Sequence, residues 1–259
     1  MGVLNATPDS FHPGSRVDGV GDAVERAVKM FEGGADWIDV GGESTRPGAV
    51  EVSQEEEVRR VIPIIEAVRE VLPDVGISID SRRESVARMA LDSGADMVND
   101  VSSLGDPGMA DLIAESECPI CLMHMKGLPS NMQENPDYGD VVEEVRKSLS
   151  ISSEKLVDSG VKPSNIIVDP GIGFGKLLDH NISLLSSGRS VVPVSEMGLM
   201  WGVSRKSMFK QMLGRERPGD RLAGTLGVAA IAMDKGVDII RVHDVTEHSD
   251  LFSVMEGIR

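Results

Sequence analysis

Eight short apolar runs, each closed by a polar or charged residue that the run itself does not need, constrain this chain more than any other feature. In order they are Gly2-Val3-Leu4-Asn5, Trp37-Ile38-Asp39, Ile77-Ser78-Ile79-Asp80 and Met97-Val98-Asn99-Asp100. There follow Ile120-Cys121-Leu122-Met123-His124, Ile166-Ile167-Val168-Asp169, Leu199-Met200-Trp201-Gly202-Val203-Ser204 and Ile239-Ile240-Arg241-Val242-His243-Asp244. Near-continuous apolar runs mark parallel strands whose two faces are both covered. Eight of them predict an α/β fold, the (β/α)8 or TIM barrel, whose active site is built at the C-terminal ends of its strands. The closing residues then form one polar ring at one mouth.

The 259 residues match the size of one such barrel, roughly 250, so residues 1–259 read as a single domain. Between the runs the pattern turns helical: Ala23, Val24, Ala27, Val28 and Phe31 share a face in 22–33. Ser53-Gln54-Glu55-Glu56 is a capping-box signal for the next helix. Further helices are expected at 83–93, 107–116, 140–158, 180–187, 221–235 and 248–257. Three longer connections, around 7–18, 41–48 and 127–138, leave the C-terminal ends of strands one, two and five. Loops of that length in a compact domain usually bind or cover a ligand.

A formal net charge of -16 argues against general nucleic-acid binding, which wants a basic face. Against that trend Arg46, Lys206, Arg241 and His243 gather at strand ends, which suggests a site for an anionic group. No apolar stretch reaches the ~20 residues needed to cross a bilayer, and no secretory signal opens the chain, so a cytoplasmic enzyme is expected. The two cysteines, Cys118 and Cys121, lie three apart and should face opposite ways on entering strand five. Without a second ligand pair to complete a zinc site, they read as buried thiols.

Two further stretches carry chemistry. Asp169-Pro170-Gly171-Ile172-Gly173-Phe174-Gly175-Lys176 sets a carboxylate before a glycine-rich turn suited to close approach by a flat ligand. It lacks the spacing of a P-loop. Gly202-Val203-Ser204-Arg205-Lys206-Ser207 is expected to open a helix whose first amides attract anions. Arg241 and His243 alternate on the last run and so face the same way, a pairing suited to phosphate.

With these pieces in order, the chain resembles the dihydropteroate synthase family of pterin-binding barrels over nearly its whole length. The resemblance runs from Gly2 through Phe11 to Arg241 through Val245, and its most specific stretches are Asp39 through Gly48, Asn99-Asp100-Val101, Met123-His124, Asp169 through Lys176 and Ser204 through Ser207. The resemblance implies condensation of 6-hydroxymethyl-7,8-dihydropterin pyrophosphate with 4-aminobenzoate, giving dihydropteroate and pyrophosphate on the route to folate. It implies pterin binding by Asp80, Asn99, Met123, Asp169 and Lys206, and pyrophosphate binding by Asn5, Arg46, Arg241 and His243. Mg2+ would be held by Asn5 with phosphate oxygens. The amine would lie against Phe11, Thr45, Arg46, Pro47, Phe174 and Ser207, with catalysis assigned to Asp39, Asp18, Lys206 and Arg241. The partners implied are these small molecules and a second copy in a homodimer. Two other readings share the barrel, a pterin-dependent methyltransferase and a pterin-binding paralogue without synthase activity. The chain departs from the family pattern at Ser10-Phe11-His12-Pro13-Gly14-Ser15, at Leu177 and across 186–198.

Overall fold

The computed structural model describes residues 1–6, 16–44, 51–127, 132, 134 and 136–258, the side chains of 16–18 excepted. Strand and helix alternate as β1 (Gly2–Asn5), α1 (Arg16–Glu32), β2 (Trp37–Gly41), α2 (Gln54–Val71), β3 (Gly76–Asp80), α3 (Glu84–Asp92), β4 (Met97–Asp100) and α4 (Met109–Ser116). The second half runs β5 (Ile120–Met123), α5 (Val141–Asp158), β6 (Ile166–Asp169), α6 (Leu178–Ser187), β7 (Gly198–Trp201), α7 (Met208–Leu213), α8 (Leu222–Ala232), β8 (Ile239–Ile240) and α9 (Val245–Ile258). All eight strands are parallel and ordered β1 to β8. A bridge from Gly2 to Val242, with Val3 N donating to Val242 O and Val242 N to Met1 O, closes the barrel.

The period of two along each strand sorts side chains into two populations. Leu4, Ile38, Val40, Ile77, Ile79, Val98, Ile120, Leu122, Ile166, Val168, Leu199 and Trp201 join the large core cluster against the helices. Burying each such side chain contributes about 1.5–3 kcal/mol. The alternate positions form a separate, smaller cluster inside the barrel, where Met97, Cys121 and Met200 pack with Trp37, Ile167 and Ile239. Cys118 joins the outer cluster and Cys121 the inner one, both as buried free thiols, because they do face opposite ways.

Several helix starts are set by polar side chains. Ser53 Oγ accepts from Glu56 N at 3.3 Å to open α2, and Asp140 Oδ1 accepts from Val142 N and Glu143 N to open α5. Three expectations need correction. The last strand stops after Ile240, because Arg241 N still reaches Trp201 O whereas Val242 has already passed to Met1 and Gly2 on the other side. The helix expected to open from 202–207 follows that stretch directly, at Met208, but is only six residues long. A turn from Val203 O to Lys206 N comes first, with Arg205 in the left-handed region at φ 58°, so no helix start lies at the strand end. Finally, α1 begins at Arg16 and α9 at Val245, both earlier than their apolar stripes. No helix among the described residues is long and apolar enough to cross a membrane.

Candidate active site

At the C-terminal mouth the inward positions turn from sulfur and hydrocarbon to charge. A cleft enclosing about 500 Å³ is lined there by Asp80, Asn99, Met123, Asp169, Phe174, Lys206, Arg241 and His243, with Met200 and Val101 among its apolar surfaces. A larger cleft of about 1140 Å³ lies at the opposite end, around Trp37, His248 and Phe252. The mouth is the stronger candidate, because charged groups converge there and barrel chemistry is carried by that face.

Register explains the convergence. Gly41 pairs with Asp80 and Asp80 with Asn99, while Met123 pairs with Asp169 two strands further on. Arg241 reaches back across the barrel, its Nε 2.6 Å from Asp39 Oδ2 and its Nη2 2.7 Å from Asp80 Oδ2. Burial works against its charge, but Asp39 and then Asp80 outweigh that and raise its pKa. One guanidinium is thus shared by two carboxylates. Burial pushes the Asp80 carboxyl up to about 7 even with Arg241 beside it. Asp39 is wholly buried and is not among the residues lining the cleft. Its Oδ2 meets Arg241 and the amide of Asn99, at 3.2 Å, so it orients two residues that line the cleft, while its Oδ1 is buried without a partner. Asn99 Nδ2 is committed to Asp39, which leaves Asn99 Oδ1 buried without a partner in a residue that lines the cleft.

The opposite wall is built from the glycine-rich turn. Asp169 Oδ1 accepts from Gly171 N at 2.7 Å. Burial raises the carboxyl's pKa, opposed first by Lys206. Gly171 takes φ 68° and packs so closely on the backbone of His124 that a Cβ would stand 1.8 Å from its carbonyl oxygen. Only glycine fits there. Lys206 donates to Ile172 O and lies 4.3 Å above the Phe174 ring, a cation–π contact. Burial lowers its pKa to about 8, with Asp169 acting the other way. His243 Nδ1 lies 2.9 Å from Ser204 Oγ, which also accepts from His243 N.

The structure therefore brings together Asp80, Asn99, Met123, Asp169, Phe174, Lys206, Arg241 and His243. Arg241 is engaged by carboxylates, which tempers the expectation of a bare anion site beside His243. Asn5 ends β1 beside Gly41 and is half-buried. Ser207 is exposed just before α7, outside the lining of the cleft. Phe11, Thr45, Arg46, Pro47 and the side chain of Asp18 lie outside the described residues. Sequence reasoning missed Met200 as a lining residue and the partner role of Ser204; Met200 sits in an apolar run with nothing to mark it.

Comparison with known proteins agrees with this geometry. The family model described as pterin binding enzyme matches residues 1–243. The dihydropteroate synthase of Escherichia coli (strain K12) is 45% identical over 257 residues, spanning 99% of this chain and 90% of that protein. The Yersinia pestis dihydropteroate synthase, solved with a sulfonamide drug, has a TM-score of 0.92 at 41% identity, covering 100% of this chain and 93% of that one. The Burkholderia cenocepacia dihydropteroate synthase complexed with 7,8-dihydropteroate has a TM-score of 0.90 at 42% identity, covering 100% and 90%. This chain belongs to the pterin-binding enzyme family.

Proposed function

We propose that the chain is a dihydropteroate synthase, joining 6-hydroxymethyl-7,8-dihydropterin pyrophosphate to 4-aminobenzoate with release of pyrophosphate in folate biosynthesis. The observation that carries the reading is the pairing of two ligand-ready acceptors across one cleft. Asp169 keeps one carboxylate oxygen beyond its bond to Gly171, and Asn99 keeps its orphaned Oδ1. A pterin offers ring N–H and amino donors along one edge, and a carboxylate meets such an edge with paired hydrogen bonds. Lys206 supplies the donor for a ring acceptor, and Met123 supplies a polarizable face for the ring. The product bound to the Burkholderia relative supports the same choice of ligand.

In this reading the C–O bond to pyrophosphate breaks with its electron pair going to the leaving group. The arylamine nitrogen then forms the C–N bond and loses a proton. The amine is neutral at physiological pH, so no strong base is required. Arg241 and His243 stand on the side where negative charge develops, and Asp80 and Asp169 favour positive charge on the pterin. Arg46 would add a second guanidinium.

The donors present fit Mg2+. Among the described residues no group of three His, Cys, Asp or Glu could hold a metal. The half-buried Asn5 is a neutral oxygen donor with no hydrogen bond from its side chain among them. Magnesium needs few protein ligands when phosphate oxygens and water complete its shell. When bound there, the ion would neutralise charge on the departing pyrophosphate. A homodimer and a cytoplasmic location complete the proposal. The dimer is supported by α8, whose sequence is apolar all round and whose outer side leaves Ile231 exposed beside a chain otherwise rich in charge.

The test is pyrophosphate release in a mixture of the pterin pyrophosphate, 4-aminobenzoate and Mg2+, for the wild type and Asp169→Asn. The substitution turns one acceptor into a donor facing donors and should weaken pterin binding by about 2–4 kcal/mol. Calorimetry that finds Asp169→Asn binding the pterin as well as wild type would remove Asp169 from the site. Binding of the pterin without pyrophosphate release would favour the non-synthase paralogue.

A further inference from the structure

We propose that Lys176 is a positioning residue of the pterin site, tying the glycine-rich turn to the end of β5 so that Asp169 and Lys206 hold the geometry that grips the ring. The inference rests on the reading that this cleft takes a pterin. Lys176 closes the turn, is 4% exposed, and is absent from the lining of the cleft. Its Nζ lies 2.9 Å from His124 Nδ1, 3.0 Å from Gly171 O and 3.0 Å from Phe174 O. An ammonium has three hydrogens to donate. Four acceptors stand around this one, His124 O at 3.4 Å being the fourth, with the His124 proton on Nε2. Burial lowers its pKa to about 7, opposed by Asp169, and it is the charged form that these acceptors suit.

The two carbonyls that Lys176 holds belong to residues already in contact with the pterin groups. Gly171 N donates to Asp169 Oδ1 at 2.7 Å, and Phe174 lies under Lys206. Between them, Ile172 O accepts from Lys206. Freeing the carbonyls of 171 and 174 therefore loosens one contact to Asp169 and two to Lys206 at once. The rest of the turn has independent ties. Tyr138 Oη donates to Gly175 O at 2.9 Å, and Gly173 N donates to Asn181 Oδ1 at 2.7 Å. Loss of the ammonium should thus shift the turn without unfolding the barrel.

The experiment uses the full chain as wild type, Lys176→Met and Lys206→Met, with 6-hydroxymethyl-7,8-dihydropterin as the probe in calorimetry. Methionine keeps the length of the side chain and removes every one of these hydrogen bonds. Lys176→Met should weaken pterin binding roughly ten- to hundredfold. Its thermal midpoint should stay close to wild type, and its affinity for pyrophosphate alone, a ligand assigned to residues off this turn, should not change. Wild-type pterin affinity in Lys176→Met, or an equal loss of affinity for pyrophosphate alone, overturns the positioning role. Should Lys176→Met not fold, 15N-lysine NMR of the wild type decides, with His124→Gln used to assign the protected ammonium signal. The signal should move when the pterin is added, and a signal indifferent to the pterin overturns the proposal. If wild type does not bind the pterin while its ammonium signal is present, the functional reading itself has failed and this inference falls with it.

Discussion

Buried charges at the mouth of the barrel hold one another in place, and the consequences differ from residue to residue. Asp39 and Asp80 share Arg241, so neither carboxylate can be removed without leaving a buried guanidinium short of a partner. His124 is the opposite case: burial, then the nearby Lys176, push its pKa down to about 3. An unfolded histidine titrates near 6.5. The folded form therefore binds the proton less readily, and the stability His124 contributes is complete above about pH 6.5 and lost as pH falls toward 3. Thermal melts between pH 4 and 8 should show a steeper acid decline for wild type than for His124→Gln, which keeps an acceptor for Lys176 without the titration. Parallel curves would mean that other groups govern the acid limb.

At the scale of strands and helices, the two ends of the barrel use similar residues for different ends. Asp238, just before β8, accepts from Leu199 N at 2.7 Å and from Arg189 Nη1 at 2.7 Å, stitching β7 to the turn before it. This is the N-terminal face, where such groups serve stability. Asp238→Ala should lower unfolding free energy by about 1 kcal/mol, since the carboxylate is half exposed, and leave kcat and KM unchanged. A change in pterin KM would show that the two faces are coupled. This distinction was only half legible in the sequence. The strands were readable because both their faces are covered, which makes them apolar throughout, and their polar ends named Asp80, Asn99, Asp169 and Arg241 directly. The short β8 was not, because its run continues in sequence past the point where its hydrogen bonds pass from β7 to β1. Lys176 was invisible in its role, since a lysine after Gly175 reads as a surface residue until His124, 52 positions earlier, is placed beside it. Asp39 looked like its neighbours at the strand ends, and only the register puts it below the cleft.

For the whole molecule, closure of the barrel fixes where exposed hydrocarbon can lie. With the strands hidden, most of what remains is on helices, and α8 with Ile231 carries the apolar outer face proposed for the dimer. Sedimentation should give a dimer mass for wild type and a monomer for Ile231→Glu, with the pterin site intact in both. A wild-type monomer at micromolar concentration would dismiss the dimer. The same closure gives the cleft walls and a floor of unequal stiffness. Its rim is braced by ion pairs and tight turns, while the interior beneath is largely unbranched sulfur side chains, Met97, Met123 and Met200 with Cys121. Tolerance for altered ligands is therefore directional. A chemist redesigning an inhibitor for this cleft has more freedom toward the floor, where thioethers yield, than along the rim, where Asn99, Asp169 and Arg241 are held in place.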